Sequence, residues 1–200
     1  MAGLRERKRQ RTYDAISAAA ISLFLAEGFE HVAVADIAAA AEVSKPTLFK
    51  YFATKEDLVL HRIADHRAEA ARVVSGSALS PLAALHRHFR DGLERRDPVT
   101  GLNDHPQVLA FHRMVFETPA LATRVASYAA DDEAALAKAL SGPDARVAAS
   151  QIVAVQRVLA RDNWARLVAG ESADLRLPGA VADADRAYGL LRGGLGALYG

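Results

Sequence analysis

The sequence predicts an all-α protein of about nine helices. Three observations lead there. Apolar residues recur at three- and four-residue spacing along nearly the whole chain. Glycines and prolines fall where those runs stop, and no stretch alternates apolar with polar residues as a half-buried strand does. Neither a repeat of fixed period nor a low-complexity tract is present.

Tyr13, Ile16, Ala20, Leu23 and Phe24 share one stripe and Gly28 stands where a C-terminal cap belongs, so a first helix is expected from Leu4 to Glu27. "VAVADIAAAAE" gives a short second helix with Val34, Ile37, Ala38 and Ala41 on one side. In "VSKP", Ser44 is placed to cap a third helix, and Pro46 fits a first turn, where no N–H is required. That helix is "TLFKYF", ending near "ATKE".

A fourth, long helix is expected over "LVLHRIADHRAEAARVV", up to the break "SGS". Pro81 opens a fifth, with Leu82, Leu85, Phe89 and Leu93 in register. "RRDPVTGLNDHP" is the most loop-like segment. A sixth helix runs from Gln107 to Glu117 and a seventh follows Pro119. "SGPD" precedes an eighth that stops at Gly170, and a ninth is expected from Asp183 to Tyr199 after "RLPGAV".

At 200 residues the chain is long enough for one domain or two small ones. The 51% apolar and 24% charged content belongs to a globular chain rather than a disordered one. The absence of cysteine excludes a disulfide framework and a thiolate metal site. No apolar run is long enough to span a bilayer, so a cytoplasmic protein without membrane contact is expected.

The net charge of +1 is uninformative, but its distribution is not. "LRERKRQRTYD" sets Arg5, Arg7, Lys8, Arg9 and Arg11 against Glu6 and Asp14. Lys45, Lys50 and Lys55 form a second basic patch.

The segment "DIAAAAEVSKPTLFKYFATKEDL" carries the functional signal. A helix ends, a short turn follows, and a third helix interleaves apolar Leu48 and Phe52 with Lys45, Thr47, Lys50 and Tyr51. This is the pattern of a helix-turn-helix, whose second helix lies in the DNA major groove. Apolar members, Val43 among them, anchor the helix and polar members face the duplex. Both Phe49 and Phe52 are expected to pack rather than to contact DNA.

In register, the same residues resemble the DNA-binding domain of the TetR (tetracycline-repressor-like) family of transcriptional regulators. The likeness runs through Ile37-Ala38, Ala41-Glu42-Val43-Ser44, Thr47-Leu48-Phe49-Lys50-Tyr51-Phe52 and Lys55-Glu56-Asp57-Leu58, preceded by "SLFLAEGFE". It covers about residues 10 to 60; beyond that only helix order agrees. Three departures stand out. Glu42 replaces a turn glycine, Val32 and Ala33 replace the cap of the second helix, and Phe49 replaces a tyrosine.

The resemblance implies a helix-turn-helix domain over residues 1–54, with its basic arm, and a helical effector-binding and dimerisation domain over 55–200. It assigns DNA contact to Lys45, Pro46, Thr47, Lys50, Tyr51 and Lys55. Lys45 and Lys50 are suited to guanine, Pro46 to a thymine methyl, and Lys55 to a phosphate. The second helix offers only Ala35 and Ala39 toward bases.

The resemblance further implies a homodimer formed by the last two helices, a near-palindromic operator in double-stranded DNA, and repression relieved by a small-molecule effector. Candidate effector contacts are His86, Phe89, Phe111, His112, Arg113, Phe116 and Trp164. No cofactor or metal is expected, since the seven histidines include no H-E-x-x-H. The sequence carries no G-x-S-x-G, phosphate loop or dinucleotide fingerprint that would mark an enzyme. Phe49 and the missing cap leave one rival: a helical effector-binding or scaffold protein of the same fold with weak or no DNA binding.

Overall fold

A computed structural model describes residues 2–200. Among these, ten α-helices and one 3-10 turn are present and no strand. The chain divides into two compact units, residues 1–65 with 110–125, and residues 66–109 with 126–200.

The first unit opens with α1 (Ala2–Glu27), α2 (Val34–Ala40), α3 (Lys45–Phe49) and α4 (Asp57–Ala64). Ile16, Ala20, Phe24, Ile37, Leu48, Phe52 and Leu58 form its core. The core is tied by one polar pair, the buried Ser17 hydroxyl with His61 Nε2 at 2.6 Å. Burial lowers the His61 pKa from its ordinary value, with nearby Arg62 adding to the effect.

Local chemistry sets the helix ends. Gly28 takes φ +87° and returns its N–H to Phe24 O (2.9 Å), closing α1. Ala33 caps α2 without a side-chain bond, and only the reciprocal half of a capping box is present, Asp36 Oδ2 accepting from Ala33 N–H at 3.2 Å. Thr54 and Asp57 start α4 reciprocally, each side chain accepting the other's N–H.

In the turn after α2, Glu42 stands where the resemblance has a glycine. Its φ is +54°, with Glu42 N–H on Ala39 O and Val43 N–H on Ala38 O, the paired return bonds of a left-handed helix cap. A side chain in this conformation costs about 1 kcal/mol or more, partly offset because glycine has more freedom to lose on folding. Glu42→Gly is therefore expected to raise the unfolding midpoint by the equivalent of about 0.5–1 kcal/mol. Urea titration checks this, and a lower midpoint would contradict it.

The second unit contains α5 (Glu69–Ser75), α6 (Pro81–Glu94), the 3-10 turn Pro98–Thr100, α9 (Ala145–Val168) and α10 (Ala173–Tyr199). α7 (Pro106–Glu117) falls largely in the first unit, and α8 (Pro119–Leu140) begins there and continues into the second. No helix among the described residues is long and apolar enough to cross a membrane. α10 packs on α6 and α9. The core gathers Leu82, Leu85, Leu93, Leu102, Leu136, Ile152 and Tyr188.

Two expected helices are corrected. The fourth run is two helices, not one, because Ala68 turns left-handed (φ +58°) and gives its N–H to Asp132 Oδ1 at 2.7 Å. Glu69, in the first turn of α5, lies between His88 Nε2 (3.2 Å) and His66 Nδ1 (2.7 Å). These hydrogen bonds hold its carboxyl at about 2 against the opposing effect of burial, with His88 contributing most.

The last helix begins at Ala173, not near Asp183. The Ser172 hydroxyl accepts Leu175 N–H, and Asp104 Oδ2 accepts Ala173 N–H at 2.8 Å, so the start is doubly capped. Pro178 lies inside the helix in its second turn, where it removes one i→i−4 hydrogen bond.

Candidate nucleic-acid interface

Ser44 has extended backbone and its Oγ accepts Thr47 N–H at 3.2 Å, while its carbonyl accepts Leu48 N–H at 3.0 Å. Pro46 occupies the first turn, as the sequence indicates. Regular helix ends at Phe49, and Tyr51 and Phe52 both return their N–H groups to Leu48 O.

Leu48 is fully buried and Phe52 nearly so, its ring stacked on Tyr13 with centroids 4.8 Å apart. Through that stack Phe52 holds the end of the segment against α1, while Leu48, four residues earlier, is enclosed in the core of the unit. Lys45, Pro46 and Lys50 are consequently exposed, and Thr47 and Tyr51 half-buried. The Thr47 hydroxyl lies 2.8 Å from Ser44 Oγ. Tyr51 lines a shallow groove with Arg9, Gln10, Tyr13 and Asp65. Ala35 and Ala39 are exposed on α2.

Lys55 is held differently from the other cations. Its Nζ stands over the Phe29 ring at 4.6 Å and reaches the Glu30 carbonyl at 3.5 Å. Both contacts lie outside α3, and local spacing gave no sign of them.

Phe49 departs from expectation. It is 42% exposed rather than packed. One residue along a helix is a rotation of about 100°, so with Leu48 inward the Phe49 ring turns toward the side of the exposed lysines. The period of the Leu48–Phe52 pair contained this information.

The basic arm is the exposed first part of α1. Arg5, Arg7, Lys8, Arg9 and Arg11 project from it, with Arg9 paired to Glu6 at 2.7 Å.

The candidate effector contacts fall in different units. His86, Phe89 and Trp164 belong to the second unit, and Phe111, His112, Arg113 and Phe116 to the first. His86 stacks on Tyr188 at 4.8 Å and bonds Asp185 Oδ1 at 2.7 Å through Nε2. Phe89 is buried against the same tyrosine. Sequence reasoning missed Tyr188 and Asp185, which spacing along α6 could not reveal. His112 meets Phe116 edge-on at 6.0 Å, and burial lowers its pKa. Arg113 is exposed and 4.0 Å from Glu117. Among the described residues no group of three His, Cys, Asp or Glu could hold a metal ion.

Residues 16–61, which contain α2, α3 and the turn between them, match the sequence profile of bacterial regulatory proteins of the tetR family. The chain is also 34% identical over 176 residues to the HTH-type transcriptional regulator TcmR of Streptomyces glaucescens, covering 82% of this chain and 78% of that protein. The chain belongs to the TetR family. Solved TetR-family folds agree with it over nearly their full length. NalD of Pseudomonas aeruginosa, the secondary repressor of the MexAB-OprM multidrug efflux pump, superposes with a TM-score of 0.61 at 19% identity, over 89% of this chain and 96% of that one. FadR of Bacillus subtilis, solved in complex with stearoyl-CoA, gives 0.56 at 16% identity, over 90% and 97%. At such identities the superpositions speak for the TetR fold alone.

Proposed function

We propose that this TetR-family regulator is a homodimeric repressor that binds a near-palindromic operator and leaves it when a small molecule binds the effector domain. Residues 1–54 form the DNA-binding domain in this reading and 55–200 the effector-binding and dimerisation domain. The observation that carries it is the division of residues 45–52, α3 and the turn after it: Leu48 and Phe52 buried, Lys45, Pro46 and Lys50 exposed together. A core helix has no use for that second set, whereas base edges and phosphates do.

Support for the dimer comes from α9 and α10, which leave Val147, Val158, Leu175, Leu190 and Leu198 exposed. On α10 the added Cβ of Gly189, Gly193 or Gly194 would meet nothing within 4 Å. Support for effector release is comparative: NalD is a repressor and FadR was solved with an acyl-CoA.

The test is binding of the purified chain to duplex DNA across a salt series. Lys50→Ala is expected to change base preference at one position in each half-site. Lys55→Ala is expected to weaken all sequences alike and to lower the salt slope by about one. It should also lower stability, because the cation-π contact with Phe29 is lost. Wild-type binding by both variants would remove the assignment of Lys50 and Lys55.

A chain starting at Thr12 lacks the five arm cations. It is expected to fold normally and to bind more weakly at moderate salt, since each phosphate contact contributes to the counterion release that drives binding. Unchanged affinity across the salt series would reduce the arm to a solvated helix end. No DNA binding at any salt would favour the effector-binding or scaffold reading.

A further inference from the structure

We infer that Phe49 is a specificity-determining residue that reads a thymine methyl group in the major groove. The inference rests on the DNA-binding reading of α3 and adds a contact that the helix-turn-helix pattern did not assign to this side chain.

Phe49 is 42% exposed on a five-residue helix whose other outward residues are Lys45, Pro46 and, just beyond the end, Lys50. A phenyl ring left in water between cations contributes little to folding, because the inward face is already filled by Leu48 and Phe52. Its chemistry limits what it can do against DNA. It has no donor, so it cannot hold a phosphate oxygen or a base acceptor. Bases in an intact duplex are stacked on one another, so their faces are closed to it. The apolar feature that the major groove presents at a base edge is the C5-methyl of thymine.

Lys45 and Lys50, close to Phe49 in sequence and exposed with it, supply the charge that brings the ring against a polyanion. Pro46 adds a second small apolar surface three residues earlier. The recognition helix thus combines cationic contacts with an apolar pair, and the ring selects thymine over cytosine by shape and by desolvation of one methyl.

The experiment begins with selection of a binding site from random duplex DNA by the wild-type chain. Each thymine of the selected duplex is then replaced by uracil, which lacks only the methyl, and affinity is read by fluorescence anisotropy. Wild type is expected to lose about fourfold per half-site at one symmetric position, the effect of one methyl no longer buried.

Phe49→Ala should bind the thymine duplex about as wild type binds the uracil one, and should not distinguish the two. Phe49→Gln, which also removes the ring at this exposed position, should behave alike if the alanine variant folds poorly. Indifference of wild type to uracil at every thymine would overturn the inference, as would discrimination that survives in Phe49→Ala or Phe49→Gln. Either result would leave DNA binding intact, whereas enrichment of no sequence would overturn DNA reading and this inference together.

Discussion

Gly101→Ala is expected to lower stability by about 3 kcal/mol or more, a fall of roughly 6–12 °C in the melting midpoint for a chain of this size. Gly101 ends the 3-10 turn at φ +72°, and an added Cβ would lie 1.9 Å from Ala160 O and 2.7 Å from its carbonyl carbon. The obstacle is helix backbone, which cannot rotate aside as a side chain does. Moving the turn away would also disturb Asn163, buried and donating from Nδ2 to Thr100 O at 3.0 Å. Asn163 Oδ1 in turn accepts from Arg176 Nε, so a shift in the turn propagates to α10.

Gly170→Ala provides the control. It has φ +98° but nothing within 4 Å of its Cβ, so only the conformational cost of about 1 kcal/mol applies. Thermal unfolding followed by circular dichroism separates the two. Equal midpoints for both variants would mean that the turn does not press on α9.

Gly193→Leu is expected to lower operator affinity by about a hundredfold or more while leaving helix content intact, because in the proposed reading both half-sites are bound by one dimer. One recognition helix spans only a few base pairs. A two-fold dimer places two of them in major grooves about 34–36 Å apart, or a multiple of that, on a near-palindromic site.

Within one chain the leucine has room, since a Cβ at Gly193 meets nothing within 4 Å, and leucine is the better helix former by roughly 0.8 kcal/mol. The substitution therefore spares the monomer and acts on whatever approaches that face of α10. Sedimentation and anisotropy should show dimer stability and operator affinity falling together. Wild type sedimenting as a monomer at micromolar concentration would remove the dimer. A variant that stayed dimeric and bound normally would remove only the close approach at Gly193.

The DNA-facing segment was the most legible part of the chain, because its determinants are local. Ser44 and Pro46 start α3 by bonds within one turn, Gly28 ends α1 with one return bond, and the Leu48–Phe52 spacing fixes which face is inward. The exposure of Phe49 follows from that same spacing, and the general expectation that aromatics pack was the weaker guide. The candidate effector contacts were much less legible. Large apolar side chains at helical spacing look alike whether they fill a core or line a cavity, and the partners that distinguish them come from other helices.

By itself, the sequence determined the helical class and the helix-turn-helix with its register. Each depends on hydrogen bonds and side-chain periods spanning a few residues. Only the tertiary structure decided where the fourth run breaks and where the last helix begins. In the first case Asp132 takes the N–H of Ala68, 64 residues away; in the second Asp104 takes that of Ala173, 69 residues away. It also placed the Lys55 cation on Phe29 and the Cβ position of Gly101 against Ala160. Such contacts join residues that no local window contains, and they form only once the chain has already brought its helices together.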